Sequence, residues 1–234
     1  MRKSDQIIKL LSSLRIELKN YSFKGWGMTT STSVPWDVQS GYNQIGKKFL
    51  SARGKFIDLV RGHQFILSQF SGQNEVEVIE SLDYRHYYVF WSAFFAAKKC
   101  GKDQCVFIEA GVCDGMSAFF AIQGFDSALE SRKDFTMYLF DAWGPMIPQN
   151  LTKKEQKTTS GAYAYLNLAQ TEENLSAYKE NLFFCKGYIP EVLGKFKDPR
   201  KISWMHIDLN ASISTWATLD FFLSKAKFSR LDYF

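Results

Sequence analysis

The stretch Cys105–Ser117, CVFIEAGVCDGMS, decides how this chain is read. Val106, Phe107 and Ile108 form an apolar run too short for a helix of its own, and such a run reads as a buried parallel strand. The run ends at a carboxylate, Glu109. Gly111, Asp114 and Gly115 follow, and Ser117 opens an amphipathic stretch, SAFFAIQGFDSALE. The order is strand, glycine-containing turn, helix. Glycine permits a tight turn and a close ligand approach. The unpaired N–H groups at a helix start attract an anion, and a carboxylate at a strand end accepts bonds from hydroxyls or an ammonium group. Such a unit suits a small, polar, nucleotide-like ligand. The spacing is Glu-x-Gly-x-x-x-Gly rather than Gly-x-Gly-x-x-Gly, which counts against a dinucleotide. The same residues also fit an ordinary strand–turn–helix whose glycines serve the turn alone.

Three more short apolar runs lie downstream, each ending on a polar or glycine signal. Phe135–Phe140 stops at Asp141, Phe183–Cys185 at Lys186 and Gly187, and Ile202–Ile207 at Asp208. In a doubly wound sheet, Asp141 stands where an acid binds a ribose diol, and ligands bind at this carboxyl edge. One helix between Glu109 and Asp141 fits adjacent parallel strands. The segments IPEVLGKF and WATLDFFLSKA read as helices after the third and fourth runs. Residues 149–182 are long for a crossover and are expected to cap the site, with Thr171 and Asn174 marking a helix cap.

Upstream, Ile7, Ile8, Leu11, Leu14 and Leu18 recur at helical spacing over residues 4–19. Residues 47–70 and Ser81–Lys99 also read as helices. Between them and the first helix, residues 20–46 are loop-like but hold Trp26, Met28, Trp36 and Tyr42. That stretch reads either as a lid over the core or as a packed surface loop. The division expected is a helical region with this lid over 1–100, and a cofactor-binding domain over 101–234.

Composition limits the alternatives. A net charge of +5 spread over 234 residues is too mild to argue for nucleic acid. The longest uncharged apolar run, Tyr87–Ala97, is far short of the roughly 20 residues that span a bilayer. Residues 1–14 lack the apolar region and cleavage site of a secretory signal. Cys100, Cys105, Cys113 and Cys185 form no C-x-x-C pair and no metal-ligand spacing with histidine, so reduced, buried thiols in a cytoplasmic protein are expected.

The motifs IEAGVCDGMS, YLFDAWGP, FFCKGYIPEVL and HIDLNAS, in this order over about residues 80–222, resemble class I S-adenosylmethionine-dependent methyltransferases, and are similar to the macrocin-type sugar O-methyltransferase family. The resemblance implies an α/β, Rossmann-like, mostly parallel sheet with helices on both faces, behind a helical N-terminal region. It implies O-methylation of a small-molecule hydroxyl, of a sugar or natural product. Glu109, Gly111, Gly115 and Ser117 would line the methionine end of S-adenosylmethionine. Asp141 would hold the ribose, and Lys186, Gly187 and Tyr188 would border the adenine. Asp208 would ligate magnesium, with Asp232 as the second metal ligand. Against the family pattern, Leu231 replaces one acid of an Asp-Asp-Tyr motif, and the last two strands are missing, so the chain reads as truncated.

Among the three histidines, His63, His86 and His206, the last shares a strand face with Asp208 and is the candidate base, with a core role as its alternative. Asp208 and His206 are thus the expected catalytic pair. The rival readings are a non-catalytic or incomplete cofactor-binding protein and a nicotinamide-dependent oxidoreductase. A homo-oligomer is expected, since the strand bearing Asp208 would lie at or near a sheet edge.

Overall fold

The computed structural model describes residues 23–24, 28–29, 44–100, 105–128 and 135–225. The helix expected over 4–19, most of the expected lid and the metal ligand Asp232 lie outside them. A short antiparallel ladder pairs β1 (Phe23–Lys24) with β2 (Met28–Thr29).

The main sheet has four strands: β3 (Cys105–Ala110), β4 (Phe135–Asp141), β5 (Leu182–Lys186) and β6 (Ile202–Ile207). All pair in parallel, in the order β5-β4-β3-β6. The central strand β3 is buried along its whole length. The strand continues past its apolar run through Glu109 and Ala110, so the carboxylate lies inside the strand rather than beyond it. Side chains alternate between two cores, as the strand period requires. Phe107, Met137, Leu139 and Trp204 face one side, and Val106, Ile108, Phe140 and Ile202 the other.

The first side is covered by α1 (Gln44–Arg61), α3 (Asp83–Cys100) and α4 (Met116–Ala128), with α2 (Glu75–Ser81) beside them. Phe49, Phe56, Phe90, Phe119 and Phe120 interlock there at centroid separations of 5.0 to 5.8 Å. Gly124 lets α4 approach α3: a Cβ on it would lie 2.3 Å from the Phe90 carbonyl oxygen. The second side is covered by α7 (Ser212–Lys225), whose Phe222 is fully buried against Phe140 and Phe196. This is the expected α/β, Rossmann-like parallel sheet with helices on both faces.

Several local expectations need correction. The helix read over 47–70 ends at Arg61, because Gly62 and a left-handed His63 (φ 54°) turn the chain out of it. The helix read over Ser81–Lys99 runs from Asp83 to Cys100, and a separate short helix, Glu75–Ser81, precedes it with Leu82 between them. The segment after Ile189 forms only a 3-10 turn, Glu191–Lys195. Cys100 and Cys105 are disulfide-bonded, with Cα atoms 5.8 Å apart, while Cys113 and Cys185 are free. The end of α3 meets the start of β3, and this juxtaposition is invisible to a search for C-x-x-C. No helix among the described residues is long and apolar enough to cross a membrane.

Candidate functional site

The chain runs outward from β3 to β4 to β5, then returns to β6 on the other side of β3. The reversal opens a crevice between β3 and β6 at their carboxyl ends, where open α/β sheets bind ligands. A cavity of about 600 Å³ lies there, walled by the segments that follow all four strands. Ligand pockets span roughly 300–1,000 Å³.

Glu109 and His206 are paired neighbours in the β3–β6 register. Glu109 is fully buried. Its Oε1 accepts a hydrogen bond from the Ser117 hydroxyl and lies 3.0 Å from His206 Nδ1. A carboxylate can only accept, so Nδ1 carries the proton and Nε2 is the ring's other site. Glu109 Oε2 has no partner among the described residues, although buried carboxylate oxygens are normally bonded. Gly111 has φ 88°, and a Cβ there would meet the Asp208 carbonyl oxygen at 2.0 Å. Its lack of a side chain therefore serves the approach of two strand ends. Gly115 similarly sits against Leu175, behind the turn.

Asp141 ties the glycine turn to the end of β4. Its Oδ2 accepts from the Val112 and Cys113 N–H groups at 2.8 and 3.0 Å, and its Oδ1 from the Trp143 N–H at 2.7 Å. An ionised carboxylate offers about four acceptor positions, so one remains for a ligand hydroxyl.

Thr171 and Asn174 are not cap residues. They lie within α6 (Leu168–Asn174), whose cap is Asn167. From there they clamp the turn: Thr171 donates to the Cys113 carbonyl at 2.9 Å and accepts from the Trp143 indole N–H at 3.0 Å. Asn174 donates to the Ile66 and Asp114 carbonyls, both at 2.9 Å. Cys113 (φ 56°), Trp143 (41°), Tyr163 (64°) and Asn210 (51°), all on loops around the cavity, are left-handed without being glycine. Such backbone persists only where surroundings enforce it, and it concentrates at functional sites.

The segment between β4 and β5 walls the cavity through Asn150, Leu151, Tyr163 and Leu166, as its length led us to expect. Glu155 of α5 (Lys153–Thr159) fastens that wall by accepting from the Ser212 N–H and hydroxyl at the start of α7. These bonds, with those from Thr152, hold its carboxyl down at about 2.

Two cavity residues come from the first turns of α3. His86 is buried and stacks on Phe120 at 4.6 Å, and its Nδ1 is without a partner among the described residues. Burial, with the nearby Arg85 and His206, pushes it down to about 3, so it stays neutral. Arg85 forms an ion pair with Asp208. Among the described residues no three His, Cys, Asp or Glu side chains gather to hold a metal. Asp208 is paired with Arg85, and its expected fellow ligand Asp232 lies outside the described residues. The Cys113 thiol is raised by burial and is not a reactive nucleophile.

Gly111, Ser117, Asp141, Gly187, Tyr188, His206 and Asp208 all line this cavity. Glu109 lies behind its wall through Ser117 and His206, and Gly115 lies under the turn. Sequence reasoning missed Arg85 and the Thr171–Asn174 clamp. Arg85 looked like one more charge on a helix, and nothing local signals its reach to β6.

Fold and cavity together define a Rossmann-like α/β chain with a cavity at its strand switch point. No known family model matches the chain, and no curated protein matches it.

Proposed function

We propose that this cavity binds S-adenosylmethionine and that the chain methylates the hydroxyl of a small molecule. The observation carrying the reading is the switch-point cavity itself, with a glycine turn at its base, the buried Glu109 behind it and Asp141 at the neighbouring strand end. The residues fit the cofactor's polar groups. Glu109, behind the wall, holds Ser117 and His206, which line the cavity, Asp141 keeps one acceptor position for a ribose hydroxyl, and the first N–H groups of α4 suit a carboxylate. When bound, S-adenosylmethionine supplies an electrophilic methyl group on a sulfonium. His206 is the base in this reading: Glu109 orients its ring, and its Nε2 accepts the proton of the acceptor hydroxyl.

A cofactor-binding protein without catalysis is favoured by one observation, the engagement of Asp208 by Arg85. Turnover separates the two readings. The cofactor itself is tested by thermal unfolding with S-adenosylhomocysteine, S-adenosylmethionine or NAD. A ligand at a hundred times its Kd stabilises the native state by about 2.7 kcal/mol. The first two should raise Tm, and Asp141→Ala should erase that ligand shift, whatever it does to the unliganded Tm. A shift with NAD and none with the other two would refute the reading.

A further inference from the structure

Away from the glycine turn, the greater part of the cavity wall is apolar, with Phe70, Leu82, Met146, Ile147, Leu151 and Leu166, while Gln69, Asn150, Tyr163, Asn210 and Ser214 set polar groups among them. A ring hydroxylated on every side would leave some of its hydroxyls against that apolar part, desolvated and unpaired, which is costly. The wall suits a largely apolar body. Into this wall projects Arg85, the one Lys or Arg side chain among the described residues that line the cavity.

Helix energetics do not explain a cation there. Arg85 sits in the first turn of α3, where the helix dipole favours acids. Its partner is also unlike the other cavity carboxylates. Asp141 and Asp114 accept backbone N–H groups, from Val112, Cys113 and Trp143 and from Gln69. Asp208 instead pairs with Arg85, and the two side chains are 31 % and 38 % exposed. Water competes for a pair so exposed, which leaves it weakly held. The contact uses Nη2 alone, whereas a guanidinium carries five N–H donors in a planar fork shaped for an oxyanion. Arg85 can therefore grip a second oxyanion beside Asp208 or exchange Asp208 for it.

We propose that Arg85 is the recognition residue for the second ligand of this cavity, and that this ligand is a small, largely apolar molecule bearing one oxyanion. As the identity of the methyl acceptor the inference rests on the function proposed above; as ligand chemistry it stands on the cavity alone.

The probes are 3-(4-hydroxyphenyl)propanoate and its neutral amide, titrated calorimetrically into the protein with and without saturating S-adenosylhomocysteine. The acid should bind at least tenfold tighter than the amide. Arg85→Gln should bring that ratio near one, and Arg85→Lys should restore part of it. Asp208→Asn, which frees the guanidinium, should tighten the acid several-fold and leave the amide unchanged. Equal binding of acid and amide to the wild type, no measurable binding of either, or an acid preference that survives Arg85→Gln would each overturn the inference. Should Arg85→Gln fail to fold, the Asp208→Asn result decides: acid binding unchanged or weakened there overturns it too. Failure of S-adenosylhomocysteine to bind the wild type refutes the cofactor reading alone, and the acid-to-amide ratio in the free protein still judges Arg85.

Discussion

Replacing His86 with phenylalanine should change the stability of this protein by an amount that depends on pH in a calculable way. His86 is 2 % exposed, and its ring stacks on Phe120 with 12° between planes. Burial, first, and then Arg85 and His206 lower it from its ordinary 6.5 to about 3. The unfolded chain takes up a proton below 6.5 while the folded protein does not until about 3. The neutral histidine therefore contributes stability that is fully present above 6.5 and is lost as pH falls through that window. At about 1.4 kcal/mol per pH unit, the loss by pH 4 is about 3 kcal/mol. Phenylalanine keeps the aromatic stack and removes the titration. The stability difference between His86→Phe and wild type should thus shift by about 3 kcal/mol in the variant's favour from pH 7 to pH 4. Urea unfolding of both proteins at each pH measures it, and every other titrating group cancels in the subtraction. A difference that stays constant within about 0.5 kcal/mol would refute the reasoning, since an error of that order accompanies such extrapolations. It would mean that His86 titrates in the folded protein as it does in the unfolded chain.

Asp83 tests the opposite sign. Burial raises it to about 6, and its partner Arg53 does not overcome that desolvation. Its contribution is present below 3.8 and is lost as pH rises through about 6, so wild type should lose about 3 kcal/mol against Asp83→Asn between pH 4 and 7, read by the same unfolding curves. Two glycines in helices should respond oppositely to alanine. Gly54, with nothing within 4 Å of a Cβ, should gain up to about 1 kcal/mol, while Gly124, closed by the Phe90 carbonyl at 2.3 Å, should lose several-fold more or fail to fold. Thermal melts of the pair decide this. The strand β6 is an edge of the described sheet, and Ile213, Trp216 and Leu223 are exposed on the adjoining α7. Self-association should therefore appear in sedimentation velocity and weaken in Trp216→Lys; a clean monomer at high concentration would count against it.

The four strands were legible because each is a short apolar run stopped by an acid or glycine, and burial on both faces of a parallel sheet demands such runs. The same punctuation marked Asp141, Gly187 and Asp208 near strand ends on the cavity rim, whereas Glu109 lies inside β3 and behind the wall. The helix end at Gly62 was not legible, since hydrophobic periodicity continues through it and only backbone hydrogen bonding decides where it stops. Thr171 and Asn174 look like cap residues in sequence, because their side chains favour any unpaired N–H. The tertiary structure instead brings α6 against the glycine turn, and they satisfy carbonyls from residues far away in the chain. The pairs Glu109–His206 and Arg85–Asp208 are the sharpest cases. Each joins segments that only the return of β6 to the side of β3 makes neighbours. Local pattern determined where the chain ends its strands; strand order decided which charges meet there, because an ion pair depends on distance in space and not on spacing in sequence.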